Sequence, residues 1–353
     1  MANQPGIAAP SLRDRIGQEV VARRGEVRYR ELRTQSLVNR CSSQRMPFEW
    51  TVNPYRGCAM GCRYCYAAYT HEYLGIDAAS AFHTTVFVKT GGLPASAARL
   101  RRAAGRGELV ALGTATDPYQ PGEAQAGVTR AFLELCAQVR GLRLAITTKG
   151  AIVLRDLDLL RRIHSQGALT VQVSLISLDA ELLRRVEPLA PPPEVRLRVI
   201  GALAEAGLDM GLGVAPVLPA LTDGEQDLER LLHAGRRAGA RRASLVPLFL
   251  RSPTREKYLA WLAREFPRHL EAYERAYASG AYLAGGYRRR LDLVFDRLGR
   301  RHGLERRFDD GGGRAPTASG QLALELVSVG SRPPVGGAEP QGRPARPSAR
   351  TCA

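Results

Sequence analysis

From residue 48 onward, short β-branched and apolar runs alternate with segments whose apolar residues recur every three or four positions. The runs at 48–53, 109–114, 143–148, 170–176, 211–217 and 243–249 read as six strands, and 95–104, 129–139, 154–163, 195–206 and 226–238 read as the helices between them. Strand, helix, strand repeated in this way predicts a parallel sheet with right-handed crossovers. Leu109-Val-Ala-Leu and Val171-Gln-Val-Ser-Leu-Ile are nearly continuous in apolar residues, as expected of strands covered on both faces in an α/β barrel or doubly wound sheet. A further β-rich run at 84–89 stands outside the six as an edge or accessory strand. In parallel folds of this kind reactive groups gather at the C-terminal ends of the strands, so the segments just after each run are where chemistry is expected.

The flanks differ from this pattern. Residues 1–46 are polar and basic, with a modest apolar pattern, and read as an N-terminal extension packed on a main domain at 47–250. Residues 251–308 are helical and carry Tyr258, Trp261, Phe266, Tyr273 and Tyr277, which suits a C-terminal helical cover better than a base-stacking surface. From 309 to 353 Gly, Pro, Ala, Ser and Arg dominate apart from 322–329, the composition of a disordered tail.

With 353 residues, 44% of them hydrophobic, the chain buries one large core. The most apolar stretch, 200–221, contains Glu205, Asp209, Pro216 and Pro219 and predicts no membrane crossing. Met1-Ala-Asn-Gln-Pro-Gly lacks a basic segment followed by an apolar run, so no secretory signal is read, and the expected location is the cytoplasm. A net charge of +17 favours polyanions, because neutralising phosphates releases counterions. The only lysines are Lys89, Lys149 and Lys257; the remaining positive charge is arginine, much of it on solvated helix faces and in the tail, so charge admits a nucleic-acid partner without establishing one.

Cysteine placement changes the picture most. Cys58, Cys62 and Cys65 fall together just after the first predicted strand, in Asn53-Pro-Tyr-Arg-Gly-Cys-Ala-Met-Gly-Cys-Arg-Tyr-Cys-Tyr66, while Cys41, Cys136 and Cys352 are scattered. The two gaps let the backbone curl around one metal centre, and Gly57 and Gly61 permit the positive φ angles such a curl needs. With no export signal, clustered thiols point to metal binding in a reducing compartment rather than to disulfides. Neither a fourth cysteine followed by proline nor a second Cys or His pair completes the set. A cubane iron–sulfur cluster on these three thiolates keeps one iron without a protein ligand, open for chemistry. A zinc ion held by the same cysteines and His71 is the competing reading. Cys41 reads as a packing or surface residue and Cys136 as a core residue of a helix.

Polar groups stand ready at the other strand ends. Gly113-Thr-Ala-Thr-Asp117-Pro-Tyr119-Gln follows the second strand, Thr148-Lys149 the third, and Ser174 lies amid apolar neighbours in the fourth. The turn carbonyls can accept hydrogen bonds, Lys149 can neutralise a carboxylate at about 1.5–3 kcal/mol, and Ser174 suits a ribose or carboxylate contact. Plainer roles for the last two are a strand cap and a backbone hydrogen bond.

The cysteine spacing, with Tyr64 before the third cysteine, resembles the signature of the radical S-adenosylmethionine (radical SAM) superfamily. Together with 112–121, Thr148-Lys149, 155–160, Glu187-Pro188 and 214–219, it resembles the spore photoproduct lyase-like group over roughly residues 35–265. That resemblance implies a six-stranded parallel partial (β/α)6 barrel and a [4Fe–4S] cluster on Cys58, Cys62 and Cys65. It also implies SAM as co-substrate, cleaved by one electron from a flavodoxin- or ferredoxin-type donor to a 5′-deoxyadenosyl radical that abstracts hydrogen. By the same resemblance Lys149 and Ser174 hold the SAM carboxylate and the backbone of Thr114, Ala115 and Thr116 meets its amino group. Tyr66, Asp117 and Tyr119 become pocket residues with catalytic potential. Spore photoproduct lyase proper has Ser-Cys-Thr-Ser-Asp, with a cysteine that returns a hydrogen atom to the product radical, where this chain has Gly113-Thr114-Ala115-Thr116-Asp117. Three classes of function stay in view: this chemistry on a nucleic acid, the same chemistry on a small molecule or peptide, and a non-enzymatic zinc or iron–sulfur protein.

Overall fold

A computed structural model of the chain describes residues 16–24, 26–43, 46–77 and 81–306. The predicted tail at 309–353, with Cys352 and the run 322–329, lies outside the described residues. The described residues begin with a hairpin that the hydropathy pattern does not announce, β1 (Ile16–Arg24) paired antiparallel with β2 (Val27–Arg33). In β2, Val27 and Tyr29 are buried on one face and Leu32 on the other, while the exposed Arg28 and Arg33 give the run the composition of a basic segment. The N-terminal extension is therefore partly sheet. After β3 (Val38–Arg40) and β4 (Trp50–Val52) come β5 (Tyr55–Arg56) and β6 (Thr85–Thr90), the accessory strand expected at 84–89. β6 pairs parallel with β2 and antiparallel with β5, giving a four-stranded sheet in the order β1-β2-β6-β5.

The main sheet continues from β4 through alternating helices and strands. These are α1 (Leu93–Gly105), β7 (Leu109–Leu112), α2 (Val128–Cys136), β8 (Arg143–Thr148), α3 (Leu157–Gln166) and β9 (Ala168–Ser174), then α4 (Ala180–Val186), α5 (Pro193–Glu205), β10 (Asp209–Val217), α6 (Glu225–Arg237) and β11 (Arg242–Pro247). The six predicted strands correspond to β4, β7, β8, β9, β10 and β11, which lie side by side in chain order with every neighbouring pair parallel. Among the described residues the sheet holds eight strands rather than six. β3 pairs antiparallel on the β4 edge and β12 (Glu305–Arg306) pairs parallel on the β11 edge. Both are too short to carry a hydropathy signal. The predicted helix at 154–163 begins as a 3₁₀ turn at Ala151–Asp156, and α4 was not anticipated.

Packing follows the pattern that predicted it. Val110, Leu112, Leu144, Ile146, Val171, Val173 and Leu212 are almost wholly buried and line up in register on one face of the sheet. On α6, Leu228, Leu231 and Leu232 recur at helical spacing and form the buried stripe. Truncating one of them to alanine would cost about 2–5 kcal/mol. The Asp179 carboxylate caps α4 by accepting from the backbone N–H groups of Glu181 and Leu182 at 2.9 and 3.0 Å. The C-terminal cover comprises α7 (Thr254–Glu265), α8 (Leu270–Ala276) and α9 (Gly285–His302). Its aromatics pack inward: Tyr273 donates to the Pro219 carbonyl at 2.7 Å and Tyr277 to the Leu248 carbonyl at 2.8 Å. Among the described residues no helix is long and apolar enough to cross a membrane.

Candidate active site

The cysteine loop leaves the C-terminal end of β4, as the strand-end argument predicts. Gly57 adopts φ +87°, and a β-carbon there would come within 2.8 Å of the Thr85 carbonyl oxygen, so only glycine lets the chain pass β6 and turn back. The loop is tied from several directions. Cys58 N–H donates to the Phe82 carbonyl at 3.1 Å, Arg63 N–H to Val186 at 2.9 Å and Leu189 N–H to Met60 at 3.2 Å. The Ala59 N–H reaches Gln120 Oε1 at 3.0 Å, and the Thr254 hydroxyl donates to the Cys65 carbonyl at 2.6 Å. Strand-end turns, the segment after α4 and the helical cover thus all hold the loop.

Cys58 and Cys62 are buried and Cys65 is half-buried. Burial pushes all three thiols up to about 12, with Asp117 adding for Cys58, Glu187 for Cys62 and Cys62 itself for Cys65. Thiolates here need a cationic centre to stabilise them. The surroundings supply what such a centre asks of its ligands. Backbone N–H groups of Met60 and Asp117 meet the Cys58 sulfur, that of Ala67 meets Cys65, and Lys149 sets its positive charge near Cys62. Among the described residues no three His, Cys, Asp or Glu side chains are placed to hold a single metal ion. His71, the fourth ligand in the zinc reading, pairs its Nε2 with the Thr85 carbonyl at 2.9 Å and packs its ring against Phe82 and Phe87, while its Nδ1 is buried without a hydrogen-bond partner among the described residues. The donor set, thiols alone from one loop with N–H groups turned toward sulfur, fits an iron–sulfur cluster.

The turn after β7 lies against this loop. Gly113 takes φ +91° where a β-carbon would strike the Thr147 carbonyl oxygen at 2.4 Å. Thr114 shares a hydroxyl hydrogen bond with Thr51 at 2.5 Å, accepts from Asn53 Nδ2 at 2.9 Å, and offers its carbonyl to the Tyr66 hydroxyl. Ala115 N–H donates to Asn53 Oδ1 at 2.7 Å and the Thr116 hydroxyl to the Gly57 carbonyl at 2.7 Å. Asp117 fastens two strand ends together. It accepts from the Thr148 hydroxyl at 2.6 Å and Tyr119 N–H at 2.9 Å on one oxygen, and from Lys149 N–H at 2.7 Å on the other. Tyr119 is almost fully buried, with its side chain close to Asp156 and Glu123. Tyr66 therefore meets the Thr114 turn, whereas Tyr119 belongs to a buried cluster of carboxylates and Arg155.

Lys149 meets Glu187 and Tyr64, and through Glu187 it meets Arg196. Its Nζ lies 3.9 Å from Glu187 Oε1 and 5.9 Å from the centre of the Tyr64 ring. Glu187 also accepts from the Tyr64 hydroxyl and from Arg196, and Arg196 donates to the Ser174 carbonyl at 3.0 Å and the Pro191 carbonyl at 2.6 Å. Burial alone would push the Glu187 carboxyl up; Arg196 and then Lys149 outweigh it and hold the group below its ordinary value. Burial would likewise lower Lys149, but Cys62 and Glu187 raise it, so it stays charged. Ser174 is buried at the end of β9, joined to this network through its backbone. The Glu187-Pro188 pair was the one visible signal; Arg196 lay hidden in an ordinary amphipathic helix.

A model of the radical SAM superfamily matches residues 52–232. An uncharacterized protein of Mycobacterium tuberculosis is 41% identical over 266 residues, covering 75% of this chain and 78% of its own length. One from Methanocaldococcus jannaschii is 27% identical over 177 residues, 50% of this chain and 63% of its own. Among solved structures, a spore photoproduct lyase variant aligns with a TM-score of 0.60 and 17% identity over 78% of this chain and 81% of its own. Another, bound to AdoMet and dinucleoside spore photoproduct, aligns with a TM-score of 0.58 and 17% identity over 76% and 78%. With three thiols at the end of the first parallel strand and this fold around them, the chain belongs to the radical SAM superfamily and is an enzyme.

Proposed function

We propose that Cys58, Cys62 and Cys65 hold a [4Fe–4S] cluster and that SAM binds at its open iron, for hydrogen abstraction from a nucleic-acid substrate. The observation that carries this reading is the convergence of three thiols, with backbone N–H groups facing sulfur, on a loop bordered by Lys149 and the Thr114–Thr116 turn. When bound, the cluster and SAM supply one-electron cleavage of a C–S bond to a primary carbon radical, fed by a flavodoxin- or ferredoxin-type donor.

The chain's own residues position and shield. Lys149 offers a charge to the SAM carboxylate, and Glu187 keeps that ammonium charged and aimed. The backbone of Thr114, Ala115 and Thr116 faces the amino group, and Ser174 gives a polar contact at the end of β9. Asp117, with its oxygens taken by Thr148, Tyr119 and Lys149 N–H groups or hydroxyls, holds two of these turns in register. Tyr66 places a phenol beside the same turn, while Tyr119 is tied to it through its backbone N–H on Asp117. The nucleic-acid substrate is supported by the fold shared with spore photoproduct lyase and by the charge of +17.

The test is anaerobic reconstitution with iron and sulfide, then reduction in the presence of SAM and chromatography for 5′-deoxyadenosine. Wild type should form it. Lys149→Ala should keep the iron while binding SAM at least about tenfold more weakly, the loss of one charge-assisted bond. A protein that takes up only zinc, or that leaves SAM intact, overturns the reading.

A further inference from the structure

A second recess adjoins the Ala115 turn, and the chemistry above gives no role to the two cations at its wall. Lys89, near the end of β6, is only 7% exposed. Along that strand Val86 and Val88 pack with Tyr29 and Tyr55 on one face, while Phe87 packs with Leu32 and Leu74 on the other. Lys89 shares the face of Phe87, where an apolar residue is expected. Among the described residues no carboxylate pairs with its ammonium, and the charge set against it is another cation, Arg56 of β5. Arg56 spends Nη1 on the Thr70 carbonyl at 2.5 Å and lies over the Tyr73 ring at 5.9 Å. Asn53, Tyr55, Arg56, Thr70, Lys89 and Ala115 line a half-open recess with about 10 Å³ of space, room for one water-sized group at its inner end.

Two like charges at a cavity wall are costly unless an anion joins them. The cost is visible in Lys89, whose ammonium is pushed down to about 7 by burial first and Arg56 second. Polar residues that serve only packing do not need this arrangement, since methionine would fill the Lys89 position without charge.

We propose that Lys89 and Arg56 form an anion pocket that anchors a phosphate group of the substrate beside the Ala115 turn. One phosphate oxygen fills the cavity against the Lys89 ammonium. The tetrahedral group then turns its other oxygens toward the free edge of the Arg56 guanidinium, a pairing suited to that planar fork. A carboxylate, with two oxygens in one plane, would be satisfied by Arg56 alone and leave Lys89 unmatched. The proposal rests on the function proposed above and narrows it: the substrate carries a phosphate close to the carbon that loses hydrogen.

Reconstituted protein with SAM bound is titrated calorimetrically with inorganic phosphate, and separately with acetate, at fixed ionic strength. Phosphate should bind wild type in preference to acetate, and Lys89→Met should weaken phosphate at least about tenfold while SAM affinity stays within about twofold of wild type. A probe independent of any variant is the rate at which acetic anhydride modifies Lys89 in the wild type, read by mass spectrometry, which phosphate should slow. Equal phosphate affinity in the two proteins, no phosphate binding, acetate bound as tightly as phosphate, or an unchanged acetylation rate each overturns the pocket. Loss of SAM binding in Lys89→Met also overturns it, by assigning the cavity to the SAM carboxylate. The two readings fail separately. Wild type that forms 5′-deoxyadenosine yet ignores phosphate refutes only the pocket, and wild type that binds phosphate yet leaves SAM intact refutes only the radical chemistry.

Discussion

Arg196 and Glu187 form an ion pair in which neither side chain reaches solvent, and it stands directly behind Lys149. A buried pair is weak evidence of net stabilisation, but removing one partner strands the other's charge. Here Glu187 answers two cations at once, so the carboxylate is the member whose loss is felt most.

Glu187→Gln should therefore destabilise the apoprotein by about 3–5 kcal/mol in urea unfolding, because Arg196 and Lys149 would both remain buried without an anion. Arg196 keeps its carbonyl partners at Ser174 and Pro191, which softens the loss without cancelling it. A change under about 1 kcal/mol, the worth of an exposed pair, would show that water relaxes into the site and that the network is not structural.

The cluster assignment predicts a division among the cysteines. Alanine at Cys58, Cys62 and Cys65 together should abolish iron uptake and the visible absorbance of reconstituted protein. Cys136→Ala should leave both intact, since that thiol is 1% exposed inside α2 with Phe132 and Leu133. Iron retained by the triple variant would refute the assignment.

Lys89 gives a dependence on pH whose sign is fixed. Its folded value of about 7 lies below the ordinary 10.5, so between the two the unfolded state binds a proton that the folded state lacks, and stability rises with pH across that window. Below about 7 both states are charged and the full cost of burial is present. Arg56 is the charged group facing it, and no carboxylate among the described residues offsets it. Lys89→Met should thus be more stable than wild type by roughly 2–4 kcal/mol near pH 6.5, and the gap should narrow as pH approaches 10.5. Urea midpoints at several pH values decide it; a gap independent of pH would show that the lysine is solvated.

What the sequence makes legible is what the chain encodes locally. The cysteine loop, the Thr114–Thr116 turn and Lys149 each follow a strand whose apolar run is read directly, and a parallel sheet gathers strand ends by topology alone. Arg196 and Glu187 are different. Their meeting depends on how α5 packs beside the segment after α4, and buried arginine runs against every compositional expectation. β2 escaped for a related reason: its arginines outweigh Val27, Tyr29 and Leu32 in any average, those three are split between the two faces of the strand, and only its pairing with β6 reveals it. Lys89 sat inside a correctly placed strand, yet nothing in Thr-Val-Phe-Val-Lys-Thr says that the lysine faces inward.

The last expectation concerns how the reaction ends. Where spore photoproduct lyase proper has a cysteine able to return a hydrogen atom to a product radical, this chain has Thr114, whose O–H bond is too strong to give up hydrogen readily to carbon. The structure adds a second obstacle, because the Thr114 hydroxyl is already engaged by Thr51 and Asn53 at 2.5 and 2.9 Å. Cys136 is sealed in the core and does not substitute. Of the two tyrosines considered, Tyr66 meets the Thr114 turn through its hydroxyl, while Tyr119 sits with Asp156 and Glu123. Wild type should therefore cleave SAM but fail to convert dinucleoside spore photoproduct cleanly and repeatedly to thymidylyl-thymidine. On its own substrate, Tyr66→Phe should lower product at least about tenfold while 5′-deoxyadenosine still forms, since hydrogen abstraction precedes the step that the phenol serves. Clean repeated repair by wild type would show that the cysteine is dispensable, and an unchanged product yield in Tyr66→Phe would remove the tyrosine from the path.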